Sequence, residues 1–121
     1  ANAAQVDALA REAPSKDNVM GLPASYWIDL RDYDPVVVAR ALAMPMLVIQ
    51  GGRDYQVTPA EDFVRWREAF ADDPRVSLRE FPALNHLLIA GEGAGKPVEY
   101  ASAGHVDAGV IDAIAEWVGA Q

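Results

Sequence analysis

The sequence predicts an α/β fold, and three observations carry that prediction. A short apolar run, Met46-Leu47-Val48-Ile49, shows no polar alternation and stops just before two glycines, Gly51-Gly52. Such a run reads as a strand buried on both faces, as in a parallel sheet covered by helices. A second run, Val76 to Phe81, sets Val76, Leu78 and Phe81 against Ser77, Arg79 and Glu80. That partial alternation reads as a strand nearer an edge. Helix-period stripes follow each run, so the order from Met46 to Val118 is βαβα. The crossover of such a unit is expected to be right-handed, with helices covering the sheet.

Bulk properties bound the rest. At 121 residues the chain is one domain or part of one, and 51% apolar content suffices for a packed core. A formal charge of −8 argues against nucleic acid and against an anionic membrane surface as partners. No apolar stretch approaches the roughly 20 residues of a membrane span. There is no cysteine and there are two histidines. Disulfides, thiolate metal sites and a cysteine nucleophile are thereby excluded, no metal site assembles on ligand spacing, and no cofactor is expected. The compartment is left open.

Each element has its own local reason. Val6, Leu9 and Ala10 stand at helical spacing and predict a short first helix ending near Pro14-Ser15. Gly21-Leu22-Pro23 predicts a turn, with Pro23 at the first position of a helix that carries Tyr26, Trp27 and Leu30 on one face. That aromatic cluster is either core packing or the wall of a substrate pocket. Asp34-Pro35 restarts helix through Leu42, the aspartate capping and the proline opening it. Thr58-Pro59-Ala60-Glu61 is a capping box with a proline inside it. Phe63, Trp66 and Phe70 recur at i, i+3 and i+7, so the helix it opens should lay an aromatic face on the sheet. Asp72-Asp73-Pro74 is a turn. Residues 90–104 hold four glycines and one proline and predict a long flexible loop over the site. Asp107 is placed to cap a closing helix whose stripe is Val110, Ile111, Ile114, Trp117 and Val118.

The chemistry follows from two positions. Asp54 and His86 each lie just beyond the carboxyl end of one predicted strand, where α/β sheets keep their sites. If the strands are parallel neighbours, both side chains emerge at one edge. A carboxylate that accepts the Nδ1 proton of an imidazole fixes its tautomer and stabilises the imidazolium formed during acyl transfer. The plainer alternatives are a loop aspartate paired with Arg53 and a loop histidine bonded to backbone. Other motifs carry less. Gly91 to Pro97 is glycine-rich, but its spacing fails the phosphate-loop pattern and Pro97 follows Lys96. His105 is assigned to the entry of the last helix.

At these residues the chain resembles the α/β-hydrolase superfamily. Pro45-Met46-Leu47-Val48-Ile49-Gln50-Gly51-Gly52-Arg53-Asp54-Tyr55-Gln56-Val57 resembles the strand and turn that deliver the family's acid. Phe81-Pro82-Ala83-Leu84-Asn85-His86-Leu87 resembles the turn that delivers its histidine, and Gly104 through Trp117 is similar to its last helix. The likeness is strongest to bacterial serine hydrolases of the dienelactone-hydrolase-like or serine-aminopeptidase-like kind, and covers Pro35 to Val118 better than the first third. It implies catalytic roles for Asp54 and His86, with an ester or related acyl compound as substrate. Residues 35–121 would be the C-terminal βαβα unit, and residues 1–34 the end of a cap region. Tyr26, Trp27 and Tyr55 are candidate substrate-pocket residues.

One departure is large. The family's nucleophile sits in a Gly-x-Ser-x-Gly turn upstream of the acid, and none occurs here. The serines are Ser15, Ser25, Ser77 and Ser102. Tyr100-Ala101-Ser102-Ala103-Gly104 lacks the first glycine and comes after the histidine. The expectation is therefore a C-terminal fragment, inactive alone. Two strands are marginal as an independent sheet, so the Met46–Ile49 edge should self-associate or pair with a missing N-terminal segment. The alternative is a noncatalytic α/β module that binds a partner through that edge.

Overall fold

A computed structural model describes Val6, Ala8, Asn18, Val19 and residues 21–121. The first predicted helix lies outside these residues except for Val6, which is helical, and Ala8, in a turn. The chain forms two compact units, 1–41 and 42–121.

The first unit contains a small antiparallel ribbon of β1 (Asn18–Val19) and β2 (Leu22–Pro23). Gly21 supplies its turn with a φ of +79°, a left-handed conformation glycine adopts without penalty. Pro23 is extended, with ψ at 147°, so helix α1 (Ala24–Arg31) starts one residue later than predicted. The fixed φ of proline suits either state, and pairing with β1 selects the extended one. The Trp27 indole N–H donates to the Val19 carbonyl at 2.8 Å, and Tyr26 meets the Trp27 ring edge-on. Helix α2 (Pro35–Ala41) begins as its sequence predicts: Asp34 Oδ1 accepts from the N–H groups of Val36 and Val37 at 2.9 and 3.2 Å.

The second unit is α/β. Strands β3 (Met46–Gly51) and β4 (Val76–Phe81) are parallel, in register from Met46↔Val76 to Gly51↔Phe81. A π-helical turn (Pro59–Phe63) and helix α3 (Val64–Ala69) connect them. Thr58 Oγ1 accepts from Glu61 N–H as a capping box requires, but the returning bond comes from Asp62, whose Oδ2 takes Thr58 N–H at 2.7 Å. The wide first turn explains the switch, since the Thr58 carbonyl accepts from both Asp62 and Phe63 N–H. Phe63 and Phe70 are buried, while Trp66 stacks on Phe70 and is half-buried.

After β4 the predicted loop contains a 3₁₀ helix (Pro97–Ala101), and the chain closes with helix α4 (Ala108–Gly119). Asp107 caps α4 by accepting from Gly109 N–H at 2.8 Å. Two burial expectations are corrected here. Met46 to Ile49 are only half-buried. In α4, Val110 and Ala113 face inward, whereas Ile111, Ile114 and Val118 are 57%, 43% and 59% exposed. β3 pairs with β4 alone among the described residues. Its flank, with Met44, Trp66, Ile114, Trp117 and Val118, lines an open apolar cleft of about 510 Å³. The pattern specifies more burial than the described residues supply. Among those residues, no helix is long and apolar enough to cross a membrane.

Candidate active site

Parallel pairing puts both strand ends at one edge, and the two turns that leave it are packed backbone to backbone. Gly52 N–H donates to the Phe81 carbonyl and Arg53 N–H to the Leu84 carbonyl, each at 2.9 Å. A Cβ on Gly51 would stand 2.5 Å from the Asn85 carbonyl oxygen, and one on Gly52 would stand 2.6 Å from Pro82 Cα. These glycines therefore serve close approach.

The acid turn fixes Asp54. Its Oδ1 accepts from the N–H groups of Gln56 and Val57 at 2.8 and 3.0 Å. Its Oδ2 lies 2.7 Å from His86 Nδ1. Buried Gln50 closes the turn from beneath, donating to the carbonyls of Gly51 and Val57 at 2.9 Å each. Burial pushes the Asp54 carboxyl up, but the bonds from Val57, His86 and Gln56, with the charge of His86, outweigh it and hold the carboxyl below its ordinary value.

The histidine turn is organised by Asn85, which is 2% exposed. Its Oδ1 accepts from Leu87 and Ile89 N–H at 3.0 and 3.2 Å, and its own N–H donates to the Ile89 carbonyl. Leu88 takes a left-handed φ of 57°, tolerated because its N–H bonds to the Asn85 carbonyl and its carbonyl accepts from Asp107 N–H. Facing an ionised carboxylate, His86 Nδ1 is the donor of this bond, which in the neutral ring makes Nε2 the acceptor. The Asp54 side chain is 6% exposed and the His86 ring 38%. One partner is sheltered and the other reachable.

The structure thus brings Asp54 and His86 into direct contact. It also turns Arg53 away from Asp54, contrary to the plainer alternative. Arg53 Nε donates to the Gly93 carbonyl at 2.6 Å, and Nη2 donates to the Glu92 carbonyl and Glu99 Oε1 at 3.0 and 2.7 Å. Its Nη1 lies against Gly91 and is, among the described residues, the buried side-chain atom with no hydrogen-bond partner. Tyr55, beside Asp54, stacks on Tyr100 with centroids 5.8 Å apart, and Gln56 Nε2 donates to the Tyr100 hydroxyl. The loop expected to be flexible is tied down by these contacts. Tyr26 and Trp27 belong to the first unit. Ser102 lines a cleft of about 370 Å³ with Arg53, Asn85 and Glu99, and neither Asp54 nor His86 lines it. Among the described residues, no group of three or more His, Asp or Glu could hold a metal ion.

Sequence reasoning missed Gln50, Asn85 and Glu99. Asn85 carried a usable signal, a turn-favouring amide between Leu84 and the histidine. Glu99 carried none, since 46 residues separate it from Arg53.

An acid and a histidine meeting at the carboxyl edge of a parallel α/β sheet form the pairing that acyl-transfer enzymes use. No family model and no solved structure matches this chain. A curated protein does: over 108 residues, 89% of the chain, it is 47% identical to Esterase EstD of Thermotoga maritima. The chain spans about a quarter of that protein's length, 26%. It is similar to part of an esterase.

Proposed function

We propose that this chain is the C-terminal portion of a serine hydrolase of the α/β-hydrolase superfamily, acting on esters or related acyl compounds. It supplies the acid and the base, and an upstream segment supplies the nucleophile. The observation that carries this reading is the 2.7 Å contact between Asp54 Oδ2 and His86 Nδ1 at paired strand ends. The quarter-length likeness to an esterase supports it.

In this mechanism His86 Nε2 takes the proton of the incoming serine hydroxyl as its oxygen attacks the acyl carbonyl. Asp54 holds the ring and stabilises the imidazolium. The imidazolium then gives its proton to the leaving alkoxide, and water repeats the cycle on the acyl-enzyme. Residues 1–34 would contribute the end of a cap, and Tyr26, Trp27 and Tyr55 apolar walls of the pocket.

The test joins the chain to its upstream coding segment and assays p-nitrophenyl ester hydrolysis and fluorophosphonate labelling. The restored protein is expected to turn over and to label on an upstream serine. His86→Ala should lower kcat about 10⁴-fold or more, and Asp54→Asn about 10³–10⁴-fold. This chain alone should do neither. Labelling of Ser102 in it would overturn the assignment of the nucleophile. A second reading, a noncatalytic module that binds a partner through the β3 edge, is favoured by the half-buried strand and open cleft. It expects both variants to leave the restored protein unchanged.

A further inference from the structure

We propose that Glu99 is a positioning residue for the Asp54–His86 pair, a single carboxylate that ties the acid turn to the histidine turn. The inference rests on reading that pair as the acid and base of a hydrolase.

Arg53 immediately precedes Asp54, and Asn85 immediately precedes His86. Glu99 bonds to the side chains of both. Its Oε1 accepts from Arg53 Nη2 at 2.7 Å and from Lys96 N–H at 3.0 Å, and its Oε2 accepts from Asn85 Nδ2 at 3.1 Å. Neither partner is free to follow Glu99 elsewhere. Arg53 is also held by the carbonyls of Glu92 and Gly93. The Asn85 amide oxygen is committed to Leu87 and Ile89, the N–H groups that close the turn around His86. One path of bonds therefore runs from the backbone beside Asp54, through Arg53, Glu99 and Asn85, to the backbone beside His86.

Burial gives this path rigidity. The Arg53 side chain is 8% exposed and that of Glu99 25%. The bond from Asn85 draws the Glu99 carboxyl down, burial opposes it, and the bond and charge of Arg53 complete the shift below the ordinary value. Glu99 is thus ionised, with its charge set against a sheltered guanidinium whose loss of a partner would be costly. Backbone bonds already join the two turns, as Arg53 N–H to the Leu84 carbonyl shows. What Glu99 adds is the orientation of the segment that carries the imidazole. Misplacement of a reacting group by about 1 Å can cost about 100-fold in rate.

The test uses the full-length protein and five variants: Glu99→Ala, Glu99→Gln, His86→Ala, the double change of Glu99 and His86 to alanine, and a control. Glu99→Ala should lower kcat about 10–100-fold with KM within about twofold. Glu99→Gln, which keeps an acceptor for Arg53 and loses the one for Asn85, should fall about 10-fold. It carries the test if the alanine variant does not accumulate. The low-field proton resonance of His86 Nδ1–H should broaden or vanish in both. Glu116→Gln, which removes an exposed charge on α4 outside this path, should match the parent. In the His86→Ala background, loss of Glu99 should cost nothing more, because a positioning residue acts through the group it positions. An unchanged kcat and resonance in the Glu99 variants would overturn the proposal, as would an equal loss in the His86→Ala background. A fully active His86→Ala would instead strike down the hydrolase reading itself.

Discussion

The second unit is finished at one end of its sheet and unfinished along one flank. At the carboxyl edge Gln50, Asp54 and Asn85 are 7%, 8% and 2% exposed, and each is hydrogen-bonded, at 2.9, 2.8 and 3.0 Å. Along the flank Met44, Ile114 and Val118 remain 54%, 43% and 59% exposed. The difference is one of physics. Directional bonds saturate within two loops, so a polar site can be completed by a short stretch of chain. Apolar burial scales with area and needs another surface to supply it. The site can stand assembled while the flank of the sheet stays open to solvent.

Covering the flank should therefore change the association state of the molecule. We propose that β3 is the edge to which the rest of the sheet docks, and that this chain alone self-associates there. Light scattering at tens of micromolar should report a species larger than the monomer. Val118→Asp puts a charge on the cleft at a position already 59% exposed, so the fold should be kept. Forfeiting burial worth about 1.5 kcal/mol there should weaken association about tenfold. A parent chain that stays monomeric would show that the flank tolerates water.

The finished end has its own weak point, the closeness of its two turns. Gly51→Ala would place a methyl 2.5 Å from the Asn85 carbonyl oxygen and 2.7 Å from that of Leu84. Backbone atoms cannot swing aside as a side chain can, so the turns must part. A loss of about 1–3 kcal/mol is expected in urea unfolding, with a matching loss of the His86 Nδ1–H resonance. Gly21→Ala meets no atom within 4 Å but must hold a φ of +79°. It should cost about 1 kcal/mol and leave that resonance alone. Equal responses of the resonance to the two changes would refute the close-approach argument.

The same contrast explains what the sequence disclosed. Strands, caps at Asp34 and Asp107, and the two strand-end residues were legible because each is set by neighbours within a few positions. Burial was over-read at Met46 to Ile49 and along α4, because a pattern states what a segment can bury and not what is present to cover it. The capping box was half right, since nothing local announces a π-helical turn that substitutes Asp62 for Glu61. Adjacency alone offers Arg53 as a partner for Asp54, the plainer alternative in the sequence. Its real partners, Glu92, Gly93 and Glu99, lie 39 to 46 residues away, and only the register of β3 against β4 determines that they meet.

The smallest effect concerns two aspartates that share a direction of shift and differ in shelter. Asp54 is held below its ordinary value of 3.8 within the buried turn, and Asp73 is drawn to about 2 by exposed Arg75. Both are depressed in the folded chain, so each contributes stability in full above the unfolded value, near pH 4. That contribution is lost as pH falls through the folded value. The thermal midpoint of the chain should therefore drop as pH is lowered from 5 to 2. Asp54→Asn and Asp73→Asn should each flatten part of that fall, both below about pH 4. Raising salt to 1 M, where the screening length is about 3 Å, should erase the Asp73 part and spare most of the Asp54 part. Exposed ion pairs are screened, whereas bonds from Gln56, Val57 and His86 to a buried carboxylate are not. If salt removes both parts equally, Asp54 is no better sheltered than Asp73, and the acid turn is less closed than its geometry states.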